Sequence, residues 1–183
     1  MPRIKITDLP HDLDLISRKK MKQFARGAVA RDATSLMRYH EAKWKAEAFV
    51  RRIQSECKKV EIVGSIRRGK AKVNDIDIVA IPKDHQRFLC GVQAYSRNPA
   101  VILFVFEGAK IDLFLATPEN YEVSKLMRTG SILFNEKLCL EARKKGWEMD
   151  FTKGLVTYKG IIRSEAEILR TLLGRVLEPS ERE

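Results

Sequence analysis

Positions Leu36, Tyr39, Lys43, Ala46, Phe49/Val50, Ile53 and Cys57 recur at helical spacing, and Asp32 or Thr34 can cap the helix they predict. A weaker helix is expected from about Leu15 to Val29, with Met21, Phe24, Ala25 and Ala28 on one side. The pattern then changes period. Residues 60–63, 76–81, 101–106 and 110–115 are short runs of β-branched or aromatic character bounded by turn residues, and they read as strands. Glu107-Gly108 makes the last two a hairpin, and a helix over about 84–95 joins the second to the third. Helical spacing returns at 119–127 and 131–145, where Gly146 is the expected C-terminal cap. A small hairpin around Gly154 follows, then a helix from Ser164, whose Ser164-x-x-Glu167 resembles a capping box. The order of elements predicts an α+β fold, with a subdomain boundary at Thr117-Pro118.

Composition narrows the setting. The chain has 183 residues, enough for one domain or two small ones, with 44% apolar and 32% charged residues as in an ordinary globular protein. Its longest apolar run, Ala100 to Phe106, is seven residues, so no membrane span is expected. Charges near the N-terminus stand where a signal peptide needs apolar residues. Cys57, Cys90 and Cys139 form no C-x-x-C pair and the three histidines are scattered, so neither a disulfide framework nor a zinc cluster is indicated. A reduced compartment is expected: cytoplasmic, nuclear or a viral replication compartment.

The net charge of +11 is unevenly placed. Residues 1–59 hold 15 Lys/Arg against 7 Asp/Glu, and the rest 20 against 17. A basic excess of this kind attracts polyanions, nucleic acid first. Neither predicted N-terminal helix interleaves aromatics with its cations, so base stacking is not signalled there; Trp44 and Phe49 read as packing residues.

The chemistry concentrates in Val63 to Ile81, VGSIRRGKAKVNDIDIVAI. Strand side chains alternate faces, so Asp75 and Asp77 point one way while Ile76 and Ile78 point the other. Asp112 sits likewise between Ile111 and Leu113. If the two strands are neighbours, three carboxylates share one exposed sheet face and repel unless a cation joins them. An all-oxygen donor set favours Mg²⁺ or Mn²⁺. Upstream, Gly64 and Ser65 offer backbone N–H groups and a hydroxyl to phosphate oxygens, and Arg67, Arg68 and Lys70 add positive charge for a triphosphate. Taken singly these signals are weak, because most D-x-D strands simply face solvent and most Gly-Ser steps are turns.

Together, Gly64-Ser65-Ile66-Arg67-Arg68-Gly69-Lys70 and Asp75-Ile76-Asp77-Ile78 resemble the palm signature of family X DNA polymerases, within the polymerase β-like nucleotidyltransferase superfamily. The resemblance extends through Lys110-Ile111-Asp112, Thr129-Gly130-Ser131-Ile132-Leu133-Phe134-Asn135, and Leu177-Glu178-Pro179 with Arg182, covering about two-thirds of the chain. It implies a nucleotidyltransferase palm at 60–117, a thumb-like helical subdomain at 118–183, and a basic helical lead-in at 1–59 packed on the palm. It implies that Asp75 and Asp77 hold two Mg²⁺ ions, possibly Mn²⁺ in their place, and that Asp112 binds the ion that activates a primer 3′-hydroxyl. Gly64, Ser65 and Arg68 then hold the β/γ-phosphates of a nucleoside triphosphate, while Gly130 and Asn135 meet its sugar and base. A non-proline cis bond is implied at Gly130-Ser131.

The chain also departs from the family pattern. No helix-hairpin-helix glycines occur in residues 1–59, so no lyase lysine is assigned. Met127-Arg128 stands where the family has an aromatic pair, which implies a weakened gate against ribonucleotides. Cys139 replaces a basic residue usual on the thumb helix. The expected activity is nucleotide addition to primed or gapped DNA by a monomer, in gap-filling repair. Alternatives are template-independent tailing of DNA or RNA ends, a DNA-end-binding scaffold with vestigial catalysis, and a small antibiotic-modifying or toxin-antitoxin nucleotidyltransferase.

Overall fold

The computed structural model describes residues 14–15, 36–91 and 101–183. The N-terminal helix expected over 15–29, the caps Asp32 and Thr34 and the far end of the 84–95 helix lie outside these residues, apart from Leu15. That residue belongs to a two-residue strand, β1 (Asp14–Leu15), instead of opening a helix.

Five strands make one sheet in the order β1-β6-β7-β5-β3. They are β1, β3 (Cys57–Ile62), β5 (Ile76–Pro82), β6 (Val101–Phe106) and β7 (Ala109–Leu115). All neighbours are antiparallel except β5 and β7, which run parallel. The β6–β7 turn is the expected hairpin: Glu107 and Gly108 both take positive φ, 49° and 75°, the twist that suits a two-residue connection. Helix α1 (Tyr39–Ile53) lies on one face of the sheet, where Ala46, Phe49 and Ile53 join Ile76, Ile78, Ile102, Ile111 and Leu113 in one core. Phe49 and Phe106 meet edge to face at 5.7 Å.

The expected Leu36–Cys57 helix is trimmed at both ends. Met37 and Arg38 form β2, which pairs with β4 (Lys72–Val73), and Arg38 occupies the N-cap without a side-chain capping bond. A short 3₁₀ turn over Gln54–Glu56 follows the helix, and Cys57, opposite Pro82, is the first residue of β3. A second short helix, α2 (Gly64–Arg67), stands where only a turn was expected.

The opposite sheet face is closed by α4 (Tyr121–Thr129). Val63, Val79, Ile81, Phe114, Ala116 and Tyr121 are buried together there. Beyond it, α5 (Ile132–Lys144), α6 (Glu165–Leu173) and a three-stranded sheet of β8 (Glu148–Asp150), β9 (Gly154–Thr157) and β10 (Gly160–Ile162) enclose a separate cluster of Val123, Leu126, Phe134, Leu138, Leu155 and Ile168. Serine caps form at the starts of α5 and α6, the latter as half of the expected capping box. Ser131 Oγ accepts from the Phe134 N–H at 3.1 Å, and Ser164 Oγ from that of Glu167 at 3.4 Å. Gly146, with φ of 70°, donates to the Arg143 carbonyl while Trp147 donates to that of Ala142, closing α5 in a Schellman motif. Helix α3 (His85–Gly91) follows β5. No helix among the described residues is long and apolar enough to cross a membrane.

Candidate active site

Asp77 and Asp112 are direct register partners on the parallel strands β5 and β7. Asp75 immediately precedes β5 and falls on the same side by the period of two. Val79 and Ile81 share the Asp77 face and are buried, at 0% and 8% exposure. The aspartates therefore do not lie on the solvent side of an amphipathic strand. They occupy the open end of a face that is otherwise covered, and Asp112 keeps only 16% of its side-chain exposure. The open sheet face expected for them is thus corrected to a partly enclosed one, because α4 packs on its far end.

Lys110 joins the cluster from two residues before Asp112. Its Nζ lies 2.8 Å from Asp112 Oδ2 and 3.4 Å from Asp75 Oδ2. Burial, followed by the charges of Asp75 and Asp112, pushes Asp77 up to about 7, with Lys110 and Arg128 acting the other way. Asp112 is also raised, chiefly by burial, although its hydrogen bond to Lys110 opposes the shift. Arg128 stacks over the Phe114 ring at 3.9 Å and lends positive charge to Asp77 and Asp112.

The donor chemistry fits divalent cations. The carboxylates crowd one another, all donors are oxygen, and Asp112 Oδ1 is buried without a hydrogen-bond partner. Among the described residues, no group of three donors is drawn together tightly enough to hold an ion as it stands. The Lys110 ammonium between Asp75 and Asp112 supplies the opposite charge.

The Gly64-Ser65 step abuts the carboxylates. Gly64 has φ of 63°, and a Cβ there would fall 2.0 Å from Asp77 Oδ2 and 2.9 Å from Asp77 Cβ. Only glycine lets the turn approach so closely. Ser65 Oγ is buried with no partner. Arg68 donates from Nη1 to the Thr129 carbonyl, its Nε lacks a hydrogen bond, and the Glu183 carboxylate lies 3.6 Å from that nitrogen. Glu183 also reaches Lys70 Nζ at 2.6 Å.

Arg67 corrects the sequence reading. Its guanidinium forks onto Glu165 at 2.9 and 3.0 Å and donates to Thr129 Oγ1 at 2.7 Å. Arg182, nearly fully buried, also donates to Glu165 and to the Leu177 carbonyl. Arg67 thus clamps α2 to α6 and has no free fork for a phosphate.

The Thr129-Gly130-Ser131 step links α4 to α5. The structure differs here from the cis bond the resemblance implied, because every peptide bond among the described residues is trans. Gly130 takes an extended φ, ψ of −66°, 155°, and a trans bond is favoured by about 2.5–4 kcal/mol. Tightness at this step comes from the missing Cβ, which would sit 2.6 Å from Asn135 Oδ1 and 2.7 Å from a Phe134 ring carbon. Asn135 donates to the Met127 carbonyl at 2.8 Å, and its Oδ1 is left without a partner. At the expected ribonucleotide gate, Met127 is buried at 7% exposure and Arg128 is stacked on Phe114. Outside the step, Ile132 and Leu133 are 77% and 70% exposed, beside an apolar groove that also involves Cys139, Leu140 and Phe151.

The structure thus brings Asp75, Asp77, Asp112, Gly64, Ser65 and Arg68 into one neighbourhood, with the Gly130-Asn135 segment tied to it through Thr129. Sequence reasoning did not assign Lys110, Glu165 or Glu183 to it, and it placed Arg128 only at the ribonucleotide gate, not beside the aspartates. Lys110 carried a usable signal, the same two-residue offset that marked the aspartate pair.

The fold is shared with a crystal structure of Leishmania infantum polymerase beta in a ternary P/T complex, at a TM-score of 0.61 and 16% sequence identity. The alignment covers 81% of this chain and 77% of that one. No family model matches the sequence, and no curated protein does. The likeness shows an α+β fold similar to that of polymerase beta.

Proposed function

We propose that the protein is a nucleotidyltransferase of the polymerase type, adding nucleotides from nucleoside triphosphates to a primer 3′-hydroxyl on DNA, in gap filling during repair. One observation carries this reading: Asp77 and Asp112 are register partners at the open end of a buried sheet face, with Asp75 beside them and a glycine-dependent turn against them. A solvent-facing strand needs none of these features.

Two Mg²⁺ ions, or Mn²⁺, held by Asp75, Asp77 and Asp112 would stabilise the attacking and leaving oxygens of an in-line phosphoryl transfer. The chain's own residues supply position. Ser65 Oγ and Arg68 are the donors offered to the β/γ-phosphates, the hydroxyl being buried and unpartnered and the guanidinium Nε making no hydrogen bond, only a 3.6 Å ion contact with Glu183. Arg68 is fixed in direction by its bond to the Thr129 carbonyl, so it needs little reorganisation to receive an anion. Lys110 holds Asp75 and Asp112 on one side of the sheet until another cation shares their charge. Asn135 reaches a base or sugar by exchanging its bond to Met127, and Gly130 keeps the backbone close to that sugar.

Primer extension on single-stranded, primed and one-nucleotide-gapped DNA, with each nucleotide alone and with Mg²⁺ or Mn²⁺, tests the reading. Templated addition on the gap is the expected result. Addition regardless of template would establish tailing instead, and no addition on any substrate would favour the end-binding scaffold.

A further inference from the structure

We propose that Trp147 and Tyr158, with Lys145 and Lys159, form a stacking site for unpaired bases of single-stranded DNA on the C-terminal three-stranded sheet. The inference rests on the polymerase reading only for which strand arrives there; the binding itself does not depend on catalysis.

The two rings stand 6.2 Å apart, tilted by 49°. Lys145 Nζ lies 5.7 Å from the centre of the Trp147 ring, and Lys159 Nζ lies 5.6 Å from that of Tyr158. Neither lysine forms an ion pair among the described residues. Tyr158 is 79% exposed, more than any other large apolar side chain described. It is not on a loose loop. Thr157 Oγ1 donates to the Gly160 carbonyl at 2.9 Å and accepts from the Lys159 N–H at 3.1 Å, so the β9–β10 turn that carries Tyr158 is braced. Trp147 is anchored as well, through its N–H bond in the α5 cap and its packing against the C-terminal core.

Tyr158 presents an exposed ring beside the partly buried Trp147, with a cation near each ring, an arrangement suited to bases. Stacking needs an exposed π-face, and backbone phosphates need nearby positive charge. Position agrees. Helix α5 begins beside Asn135 and ends just before Trp147, and its 13 residues span about 20 Å. A template strand leaving the candidate active site along α5 would reach the patch while unpaired.

The test uses intrinsic fluorescence and anisotropy, without nucleotide or metal. The chain has two tryptophans. A Trp44→Phe variant therefore leaves Trp147 as sole reporter, and titration with oligo-dT should quench it. Duplexes with 5′ overhangs of one and eight nucleotides are then compared. Wild type should bind the long overhang about tenfold more tightly, Tyr158→Ala should lose that gain, and Tyr158→Phe should keep it. The proposal fails if Tyr158→Ala binds both duplexes as wild type does, or if Tyr158→Phe loses as much as Tyr158→Ala. Tighter binding to oligo-rU, or quenching by anionic phosphatidylglycerol vesicles but not by oligo-dT, would equally overturn the DNA assignment. Absent primer extension with intact overhang binding would reject the polymerase reading and leave this one standing.

Discussion

The Asp77 carboxylate lies where the Cβ of residue 64 would be: a methyl group on Gly64 would come within 2.0 Å of Asp77 Oδ2 and 2.9 Å of Asp77 Cβ. The turn and the acidic pair are therefore parts of one construction, with Ser65 carried into place by the residue that makes room for Asp77. Gly64→Ala meets two penalties, a φ of 63° that disfavours a side chain by about 1–3 kcal/mol and a clash that Asp77 cannot relieve by its tip alone. We expect a lower melting temperature by circular dichroism and loss of nucleotide addition by at least a hundredfold. A variant that folds and retains activity would show that Asp77 has no fixed place in the chemistry.

Asp112→Asn should abolish nucleotide addition while the fold and DNA affinity stay near wild type. The amide keeps the size of the carboxylate and its place in the β5–β7 register but removes its charge. A thousandfold loss of kcat corresponds to about 4 kcal/mol of barrier, the scale expected when a metal at the attacking oxygen is misplaced. Single-turnover extension on a gapped substrate reads this directly, and near-normal rates would remove Asp112 from the catalytic set.

What the sequence made legible was local or periodic. A two-residue period placed Asp75, Asp77 and Asp112 on common faces, and glycine and serine marked the turns and caps that form. The helix at 64–67 was missed because four residues give no periodicity, and β2 and β4 because two-residue strands exist only through their partner. The clamp at Glu165 was out of reach for a different reason. It joins Arg67, 98 positions away, with Arg182, 17 positions away, and charged side chains in a run such as Ile66-Arg67-Arg68 look alike until one is buried. Arg67 consequently read as a phosphate ligand, when burial had committed it elsewhere.

That clamp has a pH signature. Burial alone would raise the Glu165 pKa, but the hydrogen bonds and charges of Arg67 and Arg182 outweigh it and hold the group at about 2, against an ordinary 4.5. Because the folded value is the lower one, the stabilisation is fully present above about pH 4.5 and is lost as pH falls through 2. The difference corresponds to on the order of 3 kcal/mol for this nearly buried side chain. Denaturant unfolding between pH 2 and 7 should show Glu165→Gln much less stable than wild type at neutral pH. The gap should narrow as the solution becomes acid. Parallel curves at all pH values would show that the carboxylate charge contributes nothing.

Glu183 poses a question of competition. Its carboxylate lies 2.6 Å from Lys70 Nζ and 3.6 Å from Arg68 Nε, on the cations proposed to receive a triphosphate. A carboxylate on these donors presents the same charge as a phosphate oxygen, so a nucleotide has to displace it. The side chain is half exposed, which limits such an ion pair to about 0–1 kcal/mol, or at most roughly fivefold in affinity. Glu183→Gln should therefore lower the KM for the nucleoside triphosphate two- to fivefold and leave kcat unchanged, because the contact is broken before the transition state is reached. Lys70→Met separates this effect from a direct role of the lysine: if Lys70 holds phosphate, KM rises in that variant, and the Glu183→Gln gain shrinks when the two are combined. Steady-state kinetics on a one-nucleotide gap decides it, and an unchanged or higher KM in Glu183→Gln would mean that the carboxylate orders Arg68 and Lys70 for the nucleotide instead of blocking them.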